Sequence, residues 1–183
     1  MKYNKEWLNE KINGGQEINC LLFWGHKPSK NGSIIKSCFS QWWQSPFVVE
    51  GKQYKTAEHW MMEKKAVLFD DPVIAEKILL AADPGKAKSL GRKVAGYNDL
   101  VWKEHREQIV VDGNYHKFSQ HDQLKYFLLS TGDAVIVEAS PTDAIWGIGI
   151  SGDNPDALEP GKWRGLNLLG FALMEVRDKL QSI

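Results

Sequence analysis

The sequence is short of nearly everything that marks a specialised class of protein. Of its 183 residues only two are cysteine, Cys20 and Cys38. They are too few and too isolated for a disulfide framework or a zinc cluster, and with no secretory leader in view they read as reduced thiols of a cytoplasmic protein. The five histidines, His26, His59, His105, His116 and His121, are scattered without a His-x-x-x-His pair. No metal site is therefore expected, and no cofactor. No apolar run is long enough to span a bilayer, and no n-region and h-region open the chain, so no membrane partner is expected either. Neither sign of charge prevails: 23 basic and 23 acidic residues give a formal net charge of zero. That balance argues against a broad electrostatic grip on duplex nucleic acid or an anionic membrane, while leaving room for a small phosphate pocket. No repeat, low-complexity tract or linker divides the chain, so residues 1–183 read as one domain.

What is present in excess is tryptophan. There are eight, and Trp24, Trp42, Trp43, Trp102, Trp146 and Trp163 stand beside polar or glycine-rich turns. A buried indole needs a partner for its N–H. Core filling accounts for about half of such residues on general grounds; the others supply the flat faces with which a site sandwiches a heterocyclic base.

The most informative segment is Tyr54-Lys55-Thr56-Ala57-Glu58-His59-Trp60-Met61-Met62-Glu63-Lys64-Lys65-Ala66-Val67-Leu68-Phe69. Thr56 is a good N-cap, and nothing breaks the helix before Asp70-Asp71-Pro72. Helical residues advance about 100° each, so Glu58 and Lys65 lie within about 20° of one another on the helix circumference. Met61, Met62 and Phe69 share or flank that stripe. A helix that is apolar nearly all round is a buried one, and Glu and Lys are seldom buried unpaired. An ionic pair within a sulfur and aromatic wall is costly, which points to a site. The plain alternative is a snorkelling Lys65 with Glu58 answering the positive helix start.

Elsewhere the pattern is conventional. Residues 18–25 read as a strand, and residues 46–54 as a hairpin turning at Glu50-Gly51. Asp71-Pro72 and Asp83-Pro84 each open a helix as N-cap and N1, the second closed by Gly91 as a C′ glycine. A long helix spans about 99–117. Ser119 caps another over 120–131, ended by Gly132. Residues 134–139 alternate like a strand, and the last helix runs over about 166–180. Between them, residues 140–165 form a long loop containing Trp146, Ile148, Ile150 and Trp163. Loops of that length are usually functional or disordered, and the apolar content favours an ordered wall of a pocket. Asp143 in Ser140-Pro141-Thr142-Asp143 is either a turn cap or, beside Trp146-Gly147-Ile148-Gly149, a second carboxylate facing a ligand that lies against backbone.

Together these segments resemble the YbiA-like, or NADAR, family of N-glycosidases. The resemblance rests on Phe39-Ser40-Gln41-Trp42, Tyr54-Lys55-Thr56-Ala57-Glu58-His59 with Lys65, Leu90-Gly91-Arg92, Trp102 within its helix, Asp143-Ala144-Ile145-Trp146-Gly147-Ile148-Gly149, and Gly165-Leu166-Asn167-Leu168-Leu169-Gly170. It runs from about residue 20 to the C-terminus. It implies a compact α+β domain, predominantly helical with a few short strands, that cleaves base–ribose N-glycosidic bonds. The family has one branch acting on phosphorylated ribosylaminopyrimidine intermediates of riboflavin synthesis and another removing ADP-ribose from guanine in nucleic acid. Carried over by motif, the functional positions are Glu58, Trp102, Asp143 and Trp146, with Lys65 and Asn167 in support. Gln41 and Trp42 depart from the Asn and Phe often found there, and residues 150–163 are an insertion relative to shorter bacterial members.

Breaking such a bond through an oxocarbenium-like sugar requires a negative charge near C1′, an activated water and help for the leaving base, roles that paired carboxyl groups fill in glycoside hydrolases. Glu58 is expected as the ionised carboxylate, held charged by the helix start and by Lys65. Asp143 is expected as base for water or as a ribose-hydroxyl anchor. Lys65 orients Glu58, contacts the sugar, or forms an imine with ring-opened ribose. Trp102 and Trp146 would enclose the base. Arg92, Gly147 and Gly149 would meet phosphate, although Arg92 equally suits a plain helix C-terminus. The rival reading is a module that binds NAD or ADP-ribose without cleaving it, for which two carboxylates would be superfluous.

Overall fold

The computed structural model describes residues 1–182. In chain order these form α1 (Lys5–Asn13), β1 (Cys20–Phe23), β2 (Phe47–Val49), β3 (Lys52–Tyr54), α2 (Ala57–Leu68), α3 (Pro72–Leu79), α4 (Pro84–Gly91), α5 (Asp99–Ser119), α6 (Asp122–Leu129), β4 (Val135–Glu138) and α7 (Leu168–Gln181), with short 3-10 turns at Lys36–Phe39, Pro155–Leu158 and Pro160–Lys162. The class is α+β and mostly helical. None of the described helices is long and apolar enough to cross a membrane. Among the described residues neither Cys20 nor Cys38 takes part in a disulfide.

The described residues fold as two compact units, one made of residues 1–40 with 123–182 and the other of residues 41–122. In the first, β1 and β4 pair in parallel, with Cys20 opposite Val135 and Phe23 opposite Glu138. α7 packs on β4, and it does so closely because Gly170 has no side chain: a Cβ there would stand 2.0 Å from the Ile136 carbonyl oxygen. Phe23, Ile136, Val137, Ile148, Phe171 and Leu173 are buried around this layer.

The second unit is an antiparallel hairpin and four helices. β2 and β3 pair with Phe47 opposite Tyr54, and the turn places Glu50 and Gly51 both at positive φ, the backbone of a type I′ turn. α2 packs against α3, α4 and α5. Each helix starts on a side-chain cap. Thr56 accepts from His59 N–H, Asp71 from Ile74 N–H, Asp83 from Lys86 N–H, and Asn98 from Leu100 and Val101 N–H. The core gathers Phe47, Tyr54 and Trp60. The Trp60 indole N–H donates to the Ile109 carbonyl at 2.8 Å, and its ring fills the space over Gly113, where a Cβ would lie 2.3 Å from Trp60 Cδ1.

Two local expectations are corrected. Gly91 is the last residue of α4, followed by Arg92 as C-cap, and is not a left-handed glycine beyond the helix. It is needed because Met62 Sδ lies where a Cβ would be, 2.2 Å away. Ser119 does not cap the following helix: it ends α5, its hydroxyl donating back to the His116 carbonyl at 3.4 Å, and α6 begins at Asp122.

Candidate active site

In the second unit the site residues hang on α2. Glu58 is the second helical residue, only 2% exposed, and its N–H donates to the Gln41 carbonyl at 3.0 Å. The adjacent His59 locks the helix start. Its Nδ1 lies 2.8 Å from Thr56 Oγ1 and its Nε2 is 3.3 Å from the Ala81 carbonyl. A carbonyl can only accept, so Nε2 carries the proton and the Thr56 hydroxyl donates to Nδ1. Burial, aided by the nearby Lys55 ammonium, holds the His59 pKa below its ordinary value, with the Ala81 hydrogen bond and Asp83 opposing.

Lys65, two turns further on, is half-buried. Its Nζ donates to the Gly91 carbonyl at 3.0 Å and sits 4.2 Å from the Tyr97 ring centroid and 5.6 Å from that of Trp102. Burial pushes its ammonium pKa down. Among the described residues no ion pair joins it to Glu58. Seven residues of helix amount to about 10.5 Å of axial rise, beyond the one-turn spacing at which side chains meet. The ionic centre of α2 is instead Glu63, fully buried and bound by Lys52 at 3.1 Å, Lys64 at 3.3 Å and the Tyr54 hydroxyl at 3.3 Å. Trp102, 8% exposed, lies in α5, whereas Arg92 is exposed at the C-terminus of α4.

In the first unit Asp143, Trp146, Gly147 and Gly149 occupy the loop after β4. Asp143 Oδ1 accepts from the N–H groups of Ile145 and Trp146 at 2.9 and 2.8 Å, so it does form the turn cap. Ile148 N–H donates to the Glu138 carbonyl at the end of β4 and Gly149 N–H to the Asp143 carbonyl within the loop, so two of the three N–H groups of residues 147–149 already have backbone acceptors. Gly147 has no room for a side chain, since a Cβ would be 2.7 Å from the Glu138 carbonyl oxygen. Asn167, fully buried at φ 55, uses its side chain on β4: Oδ1 accepts from Glu138 N–H and Nδ2 donates to the Ile136 carbonyl, each at 3.0 Å. The 140–165 segment is ordered by Trp163, whose indole N–H donates to the Ala157 carbonyl at 2.9 Å. A cavity of about 340 Å³ in this unit, lined by Tyr3, Trp7, Arg177 and Asp178 among others, contains none of the candidate residues.

A family model described as the NADAR domain matches residues 22–181. The chain belongs to the NADAR family. It is 41% identical over 162 residues to N-glycosidase R617 of Acanthamoeba polyphaga mimivirus, covering 86% of this chain and 95% of that one. It is 33% identical over 144 residues to N-glycosidase YbiA of Escherichia coli (strain K12), covering 79% of each chain. The solution NMR structure of E. coli YbiA superposes with a TM-score of 0.67 at 29% identity, covering 91% of this chain and 88% of that one. The chain is accordingly a hydrolase of N-glycosyl bonds.

Against this NADAR framework, sequence reasoning missed several buried polar residues of this unit, among them Gln41, Glu63 and Asn114. Glu63 carried a signal, since it stands with Glu58 on a helix that is otherwise apolar. Gln41 carried one too, as a polar residue inside an aromatic motif. Asn114 lies in mid-α5 and had none.

Proposed function

We propose that this NADAR protein hydrolyses the base–ribose bond of phosphorylated ribosylaminopyrimidine intermediates of riboflavin synthesis. The observation that carries the reading is that one helix holds both a deeply buried Glu58 and a half-buried Lys65 amine lying over the Tyr97 and Trp102 rings, although the two are not ion-paired. Such groups are costly to bury and useful in a reaction. Glu58 provides the negative charge that stabilises the oxocarbenium-like C1′ as the base departs. Lys65, whose ammonium pKa burial lowers, either donates to the sugar or, once deprotonated, adds to the aldehyde of ring-opened ribose and forms an imine with loss of water. Trp102 offers a face to the base. Asp143 retains Oδ2, which has no protein partner among the described residues, for water or a ribose hydroxyl. Trp146, Gly147, Gly149 and Arg92 serve substrate binding, and Asn167 supports that loop through its hydrogen bonds to β4. No cofactor enters this scheme.

One observation favours a second substrate, ADP-ribosylated guanine in nucleic acid. No Asp or Glu occurs from residue 18 to 49, and within that stretch Trp24 is 62% exposed with Lys27, Lys30 and Lys36 exposed nearby in sequence. A basic, aromatic surface suits a single strand. Incubating the protein with each substrate and weighing the products decides between them. Free pyrimidine plus ribose 5-phosphate supports the first; free guanine-containing oligonucleotide plus ADP-ribose supports the second; neither product overturns both.

A further inference from the structure

Gln41 and Asn114 form a buried polar pair, 6% and 0% exposed, to which the chemistry above assigns no task. Asn114 Nδ2 donates to the Val110 carbonyl one turn back at 2.9 Å and to Gln41 Oε1 at 2.8 Å. Because the Val110 carbonyl can only accept, the Asn114 amide is fixed in orientation, and Gln41 must turn its oxygen toward it. The Gln41 backbone carbonyl in turn accepts the Glu58 N–H at 3.0 Å. That N–H belongs to the first turn of α2, where no intrahelical acceptor exists; the Thr56 side chain serves His59 instead.

As a device for stability the pair is poor. Gln41 Nε2 and Asn114 Oδ1 are buried and make no hydrogen bond among the described residues. A buried donor or acceptor left over costs stability, and replacing both partners by apolar groups of similar shape is close to neutral. Polar groups retained at such a cost call for a use other than stability.

We propose that Asn114 and Gln41 are positioning residues for Glu58. Asn114 grips the Gln41 side chain, this fixes the Gln41 backbone, and the Gln41 carbonyl holds the first turn of α2 and so the Glu58 carboxylate. The proposal rests on the reading of Glu58 as the charge-stabilising group, and its test has a readout that needs no substrate.

The test uses the full chain with Asn114→Ala and with the nearly volume-neutral pair Gln41→Leu/Asn114→Ala. Thermal unfolding, NMR exchange of the Glu58 amide proton, and kcat and KM on a ribosylaminopyrimidine 5′-phosphate are measured. The expected result is a double variant melting no lower than the parent, Glu58 amide exchange about 10-fold or more faster, and kcat down about 10-fold or more with KM within about 2-fold, as a displaced reacting group would cause. Unchanged Glu58 exchange overturns the proposal, as does a loss of kcat that merely follows a lowered melting temperature. If the parent itself fails to turn over the substrate while Glu58 exchange responds, the substrate reading falls and the positioning role stands.

Discussion

The neighbourhood of α2 and the loop of residues 143–149 both carry carboxylates, and the two are built on different terms. In the loop, polar groups are satisfied by neighbours: Asp143 Oδ1 holds two N–H groups, and both polar ends of the Asn167 side chain hold β4. Around α2 some polar groups are satisfied, as Glu63 and His59 are, but others are left over. Gln41 Nε2, Asn114 Oδ1 and Arg106 Nε are buried without a hydrogen bond among the described residues, and Lys65 bears a desolvated amine. The loop is made to hold a shape. The α2 region is made to hold groups that folding alone would not retain, which is where chemistry is to be sought.

The comparison breaks most sharply on Glu58. Glu58→Gln keeps the shape and removes the charge, so kcat should fall by about 10³-fold, within the range for a positioned catalytic carboxyl group, while substrate binding weakens far less. Thermal unfolding of the same variant checks that the fold is kept. Near-parental kcat in a folded Glu58→Gln protein would return the α2 region to plain structure.

Asp143→Asn asks the same of the loop and should cost about 10²-fold in kcat. An amide oxygen can still accept from Ile145 and Trp146, so the turn should survive and the melting temperature should hardly move. If turnover per folded molecule is unchanged, Asp143 is a cap and nothing more.

Trp102→Ala sharpens the contrast from the side of binding. Base–aromatic stacking contributes about 1–3 kcal/mol per base in other proteins, so substrate affinity should weaken by a comparable amount with the fold retained. Affinity unchanged by calorimetry would leave Trp102 as no more than a wall beside Lys65.

How much of this could be read from sequence depended on the range of the physics. The caps Thr56, Asp71 and Asp83 signal within three residues, and the Glu50-Gly51 turn within two; Asn98 caps α5 in the same way but is not among the residues expected from sequence. The parallel pairing of β1 with β4 joins segments over 100 residues apart and has no local signature. Sequence does not separate a glycine needed for positive φ from one needed for close approach; at Gly91 only the Met62 side chain decides it. Glu58 and Lys65 share a helix face but not a turn, so periodicity alone does not show whether they meet. Asn114 could not be found at all, since its meaning comes from Gln41, 73 positions away.

The smallest expected effect lies at His59, which joins the two terms of the comparison: a satisfied side chain that steadies the α2 region. Burial lowers its folded pKa below the ordinary 6.5, so the unfolded chain takes up a proton that the folded one refuses. Stability from this source is complete above about pH 6.5 and is lost as pH falls from there toward the folded pKa, with a limiting slope of about 1.4 kcal/mol per pH unit. Protonation would also set an imidazolium beside the Lys55 ammonium, whose Nζ donates to the same Ala81 carbonyl at 2.6 Å; Asp83 only partly offsets this. His59→Asn should be less stable at pH 7.5, having lost the reach to Ala81, yet show a shallower fall in stability between pH 6.5 and 5. Urea unfolding across that range measures both slopes. Equal slopes would mean that His59 is not the group whose protonation loosens the start of α2, and that the acid sensitivity of this region must be sought in the carboxylates instead.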